Sequence, residues 1–384
     1  MTTYDWPKVD QQDLHSRRFA RVAAMMREAD VGSLILVGPD NIRYATGFRA
    51  HLTNESEWFT AVVDSDGQAQ IFVPYTDEVY FDPYPDMPWI RAVHPLPSWA
   101  PITANPVTWV RSLFAVLQSS VTRIGVDGLD MGLVNLLQDE LPARPIVSVS
   151  TALQRIRREK DPLEHTLLRA ASRVNAGAMQ AALAAAAVGC TDHDILAAAM
   201  QFQQAAGAEF VTHSVCNVRN GSGDWFAAGR RLREGDAFFF DIGMYGVGGY
   251  GSDAARSGFV GEPRAELRRA YEHLTSAHEL AQSIARPGVR ASRIKRELNA
   301  YLEGHGLRGT PYGVGHGIGL RICELPTLFV SDLMDEDAVL LEGEVIALEP
   351  ETTVIVDDRE VVLKIEDNFI VTSAGLEKMT IVAE

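Results

Sequence analysis

The sequence of 384 residues predicts two domains, an α/β domain followed by an α+β domain. Between residues 11 and 150, strand-like runs alternate with helical patterns, which is typical of an α/β domain. Beyond residue 162, two long helical segments precede a strand-rich region that two further helices interrupt. The charged segment RREKDP (157–162) ends in a proline at a helix start, so we place the boundary there, between domains 1–157 and 158–384.

Local patterns predict each element of the first domain in turn. Apolar residues at helical spacing cover 11–30, and SLILV (33–37) predicts a buried strand that ends in a turn at GPDN. Two β-rich runs around Asp-Ser-Asp-Gly in residues 58–74 predict a hairpin. The stretch 77–104 is rich in Pro, Tyr and Trp and predicts irregular structure. The remaining predicted elements are a helix (107–118), a strand (123–127), a helix (130–140) and a strand (146–150). In the second domain we predict helices at 163–187, 193–206, 263–285 and 291–305.

Composition excludes several classes of function. The net charge of −16 argues against a nucleic-acid or anionic-membrane partner, because a duplex requires a basic footprint. The three widely spaced cysteines, Cys190, Cys216 and Cys323, indicate reduced thiols and not a disulfide framework. The N-terminus shows no signal-peptide pattern, and no run of about 18 apolar residues predicts a membrane span. We therefore expect a cytoplasmic protein.

Five side chains in the second domain predict a metal site. They stand in the motifs FFFDIG, YGSDAARS, GVGHGIGL, ALEPET and VVLKIEDN and are Asp241, Asp253, His316, Glu349 and Glu366. The carboxylates end or interrupt apolar runs, where burial costs several kcal/mol unless they are paired or bind a metal. Two Asp, two Glu and one His suit two divalent ions, which we expect to be Mn, Fe, Co or Zn. Two such ions roughly 3.5–4 Å apart can activate water and clamp both ends of a displacement.

These motifs, in this order, resemble the creatinase/prolidase/methionine-aminopeptidase family, whose catalytic domain has the pita-bread fold. The likeness covers 160–384, and residues 11–155 resemble the N-terminal domain of its aminopeptidase P, prolidase and creatinase branch. The resemblance implies that Asp241 and Asp253 chelate one or both ions. It further implies that His316 and Glu349 bind one ion and that Glu366 bridges the two. It also implies a homodimer that acts on a small-molecule or dipeptide substrate.

Two positions depart from the peptidases of this branch, which use two further histidines to hold the substrate carbonyl. Asp224 stands at one of these positions, and Cys323 stands at the other, before the retained Glu324. A lost contact to a developing oxyanion is worth on the order of 3–4 kcal/mol. The resemblance therefore does not imply a standard peptidase.

Several of these departures resemble the dimethylsulfoniopropionate lyase branch of the same fold. Its Trp-Phe pair corresponds to Trp225 and Phe226, its Asp ligands have the same spacing of 12 residues, and Lys364 replaces the usual Arg. That branch has Asp at the position of Cys323, a further Asp where this chain has Gly243, and a longer N-terminal extension. The likeness to the lyase branch is partial.

Further residues are candidates for contact with the substrate, and each has an alternative structural role. Cys323 is a thiolate base or nucleophile, or a small buried apolar residue. Tyr312 is an acid or base, or it packs in the core, and Asp224 pairs with a substrate ammonium group or completes a turn. Trp225 and Phe226 form an apolar wall or cation–π contact, or they pack the loop on the domain.

Three candidates remain outside these motifs. His213, in FVTHSV, contacts substrate or is a core histidine of a strand. Arg49 and Trp58, in the loop TGFRAHLTNESEWF, contact a substrate carboxylate or onium group by the family resemblance, or they belong to a polar surface loop.

The sequence thus predicts a metal-dependent enzyme of the Xaa-Pro peptidase/creatinase type that acts on a small peptide or amide, with Glu349 also moving a proton. The alternatives are a lyase that cleaves a C–S bond and a hydrolase of a small zwitterionic metabolite. A third class, an inactive binding protein of the same fold, is disfavoured by the five retained ligands.

Overall fold

The computed structural model describes residues 4–50, 59–73, 87–96, 106–117, 123–218, 225–329 and 337–381. The chain forms two compact units, Lys8–Arg157 and a second unit of Arg158–Glu384 with the N-terminal residues before Lys8. Trp6 belongs to the second unit, where its indole Nε1 donates a hydrogen bond to the carbonyl of Ala206 at 2.8 Å.

The first unit is an α/β layer structure around one six-stranded mixed sheet, as the sequence predicts. Its strands are β1 (Ser33–Leu36), β2 (Thr60–Asp64), β3 (Ala69–Val73), β4 (Ile90–Pro95), β5 (Ile124–Val126) and β6 (Ile146–Ser148). They lie in the order β4-β3-β2-β1-β5-β6. The pairs β1–β2 and β2–β3 are antiparallel, and the pairs β3–β4, β1–β5 and β5–β6 are parallel. Its helices are α1 (Gln11–Glu28), α2 (Pro39–Thr46), α3 (Pro106–Phe114), α4 (Met131–Glu140) and α5 (Ser150–Ile156).

Three local predictions for this unit are wrong. The segment GPDN is not a turn but the start of α2, with Pro39 in its first turn, where a missing N–H costs nothing. The carboxylate of Asp127 accepts from Val37 N and Asn41 Nδ2, both at 2.7 Å, and so holds this helix start in place. Part of the stretch predicted to be irregular forms β4, which pairs with β3 through backbone hydrogen bonds. The last predicted strand ends at Ser148, and α5 begins at Ser150.

The second unit is α+β and confirms the four predicted helices. Its helices are α6 (Pro162–Ala185), α7 (Asp192–Ala205), α8 (Ala265–Ile284) and α9 (Ala291–Gly304). One antiparallel sheet, β7-β8-β9, consists of β7 (Phe210–Val218), β8 (Ala237–Tyr245) and β9 (Gly251–Phe259). A second, β11-β10-β12-β15-β16, consists of β10 (Gly315–Gly317), β11 (Glu324–Thr327), β12 (Val345–Leu348), β15 (Asp367–Thr372) and β16 (Gly375–Lys378). The strands β13 (Glu351–Val356) and β14 (Arg359–Lys364) pair as a hairpin.

Two apolar clusters fix these layers. Helices α6 and α7 cover β7–β9 through residues such as Met179, Ile195 and Phe240, all buried. Helices α8 and α9 cover the other sheet through residues such as Leu274 and Leu298. Each helix pair thus shields one face of a sheet, which leaves the opposite strand faces to carry polar groups. None of the described helices is long and apolar enough to cross a membrane.

Candidate metal centre

Separate strands of the second unit bring the five predicted ligands together. Asp241 lies on β8 and Asp253 on β9, His316 lies on β10, Glu349 directly follows β12, and Glu366 joins β14 to β15. All five side chains are buried. A lone buried carboxylate is strongly disfavoured, so four of them at one place require compensating positive charge.

Two groups of side chains in this cluster have the spacing of metal ligands. One consists of His213, Asp241 and Asp253, and the other of Asp253, His316 and Glu366; within each, one donor atom per residue lies within 4.8 Å of the others. His316 Nε2 lies 3.6 Å from Asp253 Oδ2, 3.7 Å from Glu349 Oε1 and 3.8 Å from Glu366 Oε1. By these distances the five predicted ligands form one cluster, and His213 also belongs to it.

Two buried carboxylate oxygens of the cluster have only an imidazole nitrogen beside them. His213 Nε2 lies 3.1 Å from Asp253 Oδ1, and His316 Nε2 lies 3.8 Å from Glu366 Oε1, which accepts no hydrogen bond. Burial and the charges of Asp253 and Asp241 raise the pKa of Glu366 well above its usual range, and burial also raises the pKa of Asp253. Divalent cations would satisfy these oxygens and keep them ionised. The oxygen-rich donor set with imidazole fits Mn, Fe, Co or Zn.

Neighbouring groups hold the ligands in position. Asn368 Oδ1 accepts from Asp253 N at 3.2 Å and from Ser252 Oγ at 2.7 Å, and its amide donates to the Asp253 carbonyl. His316 Nδ1 lies 3.1 Å from the carbonyl of Gly317. This contact places the ring proton on Nδ1 and leaves Nε2 free to face the carboxylates, as a metal-binding histidine requires.

Lys364 is a member of the cluster that sequence reasoning missed. Its buried ammonium donates to Asp241 Oδ2 at 2.7 Å and Glu349 Oε2 at 2.9 Å and lies 3.7 Å from Glu366 Oε2. Burial would lower the pKa of this lysine, but the three carboxylates raise it well above its usual value. The sequence does carry a signal for this residue. Lys364 and Glu366 are two residues apart at the end of an otherwise apolar strand, and side chains at that spacing project to the same side.

The two residues of the Trp-Phe pair, Trp225 and Phe226, have different surroundings. Trp225 lies against the cluster, with Lys364 Nζ 5.0 Å from its ring centroid and its ring edge-on to Phe239 at 5.4 Å. Its cation–π partner is therefore the protein's own ammonium group. Phe226 is 74% exposed, so its ring faces solvent.

Tyr312 and Cys323 lie at the edge of the cluster. The Tyr312 hydroxyl donates to Glu351, and its ring stacks on Phe329 at 6.1 Å. Burial and the charge of Glu351 raise the pKa of the tyrosine, which disfavours its use as a base. Cys323 is exposed, yet desolvation and the charges of Glu349 and Asp253 raise the pKa of its thiol to about 11. Without cations nearby, this direction disfavours a thiolate.

The predicted substrate contacts of three further candidates stay predictions. Arg49 belongs to the unit Lys8–Arg157, and its side chain is exposed. Trp58 and Asp224 lie outside the described residues, so their predicted roles stay predictions. The cytoplasmic location and the homodimer also stay predictions.

Comparison with known proteins agrees with the fold. The creatinase/prolidase N-terminal domain matches residues 18–158. The prolidase structure from Pyrococcus horikoshii OT3 has a TM-score of 0.78 at 20% identity and covers 96% of this chain and 99% of that one. The dipeptidase PepE structure from Mycobacterium ulcerans has a TM-score of 0.77 at 22% identity, with 97% of each chain covered. These structural likenesses confirm the predicted fold.

Sequence relatives are peptidases by name. The probable dipeptidase PepE of Mycobacterium tuberculosis is 37% identical over 123 residues, which is 32% of this chain and 32% of the relative. An Xaa-Pro dipeptidase of Lactobacillus delbrueckii subsp. lactis is 30% identical over 125 residues, 31% of each chain. The chain thus aligns with about a third of the length of these curated relatives, and they give the lyase resemblance no support. The model of metallopeptidase family M24 matches residues 166–373, more than half of the sequence, and the chain belongs to this family.

Proposed function

We propose that the protein is a metal-dependent hydrolase that binds two divalent ions and cleaves a small peptide or amide. The observation that carries this proposal is the convergence of four buried carboxylates and His316, with Glu366 Oε1 buried and accepting no hydrogen bond. The dipeptidases named among its relatives support a substrate of dipeptide size.

The residues divide between metal binding and charge compensation. The residues that would hold the ions are Asp241, Asp253, His316, Glu349 and Glu366. When bound, such ions polarise a carbonyl oxygen and lower the pKa of water. Lys364 donates to Asp241 Oδ2 and Glu349 Oε2, so the other oxygen of each carboxylate would be the one available to an ion.

Proton transfer and substrate contact follow from the same geometry. Glu349 Oε2 accepts a hydrogen bond from the ammonium group, so Oε1, which lies 3.7 Å from His316 Nε2, would bind an ion at one stage and take up a proton at another. The exposed Cys323 is open to substrate and offers a weak S–H donor in place of the imidazole used by peptidases of this branch. A rate on Xaa-Pro dipeptides below that of standard peptidases would follow, since the thiol is a poorer donor to an oxyanion.

A substrate panel tests the proposed function. Protein loaded separately with Mn, Fe, Co or Zn would be assayed on dipeptides with and without a C-terminal proline, on small amides and on dimethylsulfoniopropionate. We expect amide hydrolysis that chelation abolishes and that the His316→Ala variant lacks. His193→Ala, an exposed helix position, is the matched control and should keep full activity. Release of dimethyl sulfide without amide hydrolysis would establish the lyase alternative, and inactivity of every metal form on amides would refute the proposal.

A further inference from the structure

A β-bulge directs His213 into the metal centre. In the β7–β8 pairing, Val211 lies opposite Met244 and Ser214 opposite Ile242, so Thr212 and His213 together oppose the single residue Gly243. A bulge of this kind re-aims a side chain, and such bulges are frequent beside active sites. On the other side of β8, Gly243 pairs with Asp253 of β9. The bulge therefore places an imidazole beside a predicted ligand.

Gly243 provides the space that this imidazole occupies. A Cβ atom at position 243 would lie 2.3 Å from Thr212 Oγ1 and 2.4 Å from His213 Cε1, both closer than real contacts allow. Any other residue would displace the ring or the backbone. Gly243 is thus required here for packing and not for an unusual backbone angle.

The ring is oriented as a metal ligand. His213 Nδ1 lies 3.0 Å from Thr212 Oγ1, while Nε2 lies 3.0 Å from Asp241 Oδ1 and 3.1 Å from Asp253 Oδ1. A hydroxyl that accepts the Nδ1 proton leaves the Nε2 lone pair directed at the two carboxylates. This pairing of a metal-facing nitrogen with a polar group on the other nitrogen is the usual arrangement of metal-binding histidines.

The two oxygens of Asp253 separate the cluster into two halves. Oδ1 faces His213 and Oδ2 faces His316. Each half thus contains one imidazole, and Asp253 belongs to both groups that have metal-ligand spacing. We propose that His213 is a sixth metal ligand, through Nε2, so that each of the two ions has one imidazole. A second imidazole shifts the preference of the centre toward Fe, Co and Zn over Mg.

This inference rests on the metal site of the proposed function, and metal counting tests it without any substrate. X-ray absorption of the Co- or Zn-loaded protein measures the average number of imidazoles per ion. We expect about one in the wild type and about half as many in His213→Ala, because one of two ions loses its imidazole. Titration calorimetry should show one site weakened by about 100-fold or more, since even a partner of a ligand is worth about 10- to 100-fold.

Further variants control for folding. Gly243→Ala keeps His213 but fills the space of its ring, so the same site should weaken, and circular dichroism should show an intact fold. Thr212→Val removes the Nδ1 partner and should weaken that site by about 10-fold. His193→Ala should leave both sites and the imidazole count unchanged. If the wild type has about half an imidazole per ion, or if His213→Ala binds both ions with unchanged Kd, His213 is only a hydrogen-bonding neighbour. Two tightly bound ions without amide hydrolysis would refute the proposed function and leave this inference standing.

Discussion

The buried lysine at the metal centre permits a quantitative prediction. Lys364→Met removes the ammonium and keeps an apolar chain of similar length. In the metal-free protein, Lys364 is 2% exposed by side chain, and its ammonium group contacts Asp241 at 2.7 Å and Glu349 at 2.9 Å. The variant therefore leaves carboxylates buried without their charge partner.

The expected loss follows from the burial of this pair. Removal of one partner from a buried pair costs about 3–5 kcal/mol, because the remaining charge is uncompensated. We expect this loss in the free energy of unfolding of the metal-free protein. It should shrink when divalent ions are bound, since they compensate the same carboxylates. It should also shrink at lower pH, because the carboxylates can take up protons in place of the ammonium.

Urea unfolding followed by circular dichroism measures this loss, with and without chelator. Lys378→Met is the matched control, because Lys378 is 40% exposed and its partner Asp367 keeps Arg256 and Thr380. Its loss should be at most about 1 kcal/mol. If metal-free Lys364→Met loses no more than this control, the ammonium does not compensate the carboxylates and our account of the centre is incorrect.

Four further variants address single residues. Glu366→Gln should bind one ion fewer by elemental analysis. Its metal-free form should keep its free energy of unfolding within about 1 kcal/mol, because the raised pKa of Glu366 already favours an uncharged side chain. A larger loss of metal-free stability would contradict this. Burial, with a smaller effect of a nearby arginine, lowers the pKa of His15 to about 4, so stability present above pH 6.5 is lost as the pH falls through 4. Urea unfolding at pH 7 and pH 4 measures this loss of stability, and His15→Phe should make the difference between the two pH values smaller by about 2–3 kcal/mol. An unchanged difference would count against a buried neutral ring. Tyr312→Phe should cost about 1–3 kcal/mol, since buried Glu351 loses a donor, while kcat stays within about tenfold; a far larger fall in kcat would favour Tyr312 as an acid. Cys323→His restores the branch's usual imidazole and should raise kcat/KM on Xaa-Pro dipeptides by up to about 100-fold, and no rise would show that Cys323 does not face the substrate carbonyl.

The long helices and the five candidate ligands were predictable because each has a local signature. Helices such as Pro162–Ala185 follow from apolar spacing and a capping residue, here Asp161 with Glu164. The ligands follow from polar residues placed where a strand should be apolar. The start of α2 was not predictable, because GPDN suits both a turn and a helix start. Asp127, about 90 residues further along the chain, decides between them through its hydrogen bonds.

The sequence by itself determined the fold class, and by resemblance it predicted the order of the candidate ligands and the replacement of two peptidase histidines. Each of these depends on residue type and spacing alone. Only the tertiary structure placed Lys364 between Asp241 and Glu349, because strands far apart in sequence meet there. It also directed His213 to the centre, since a bulge of one residue changes which face a strand side chain occupies, and local sequence does not specify where a bulge forms.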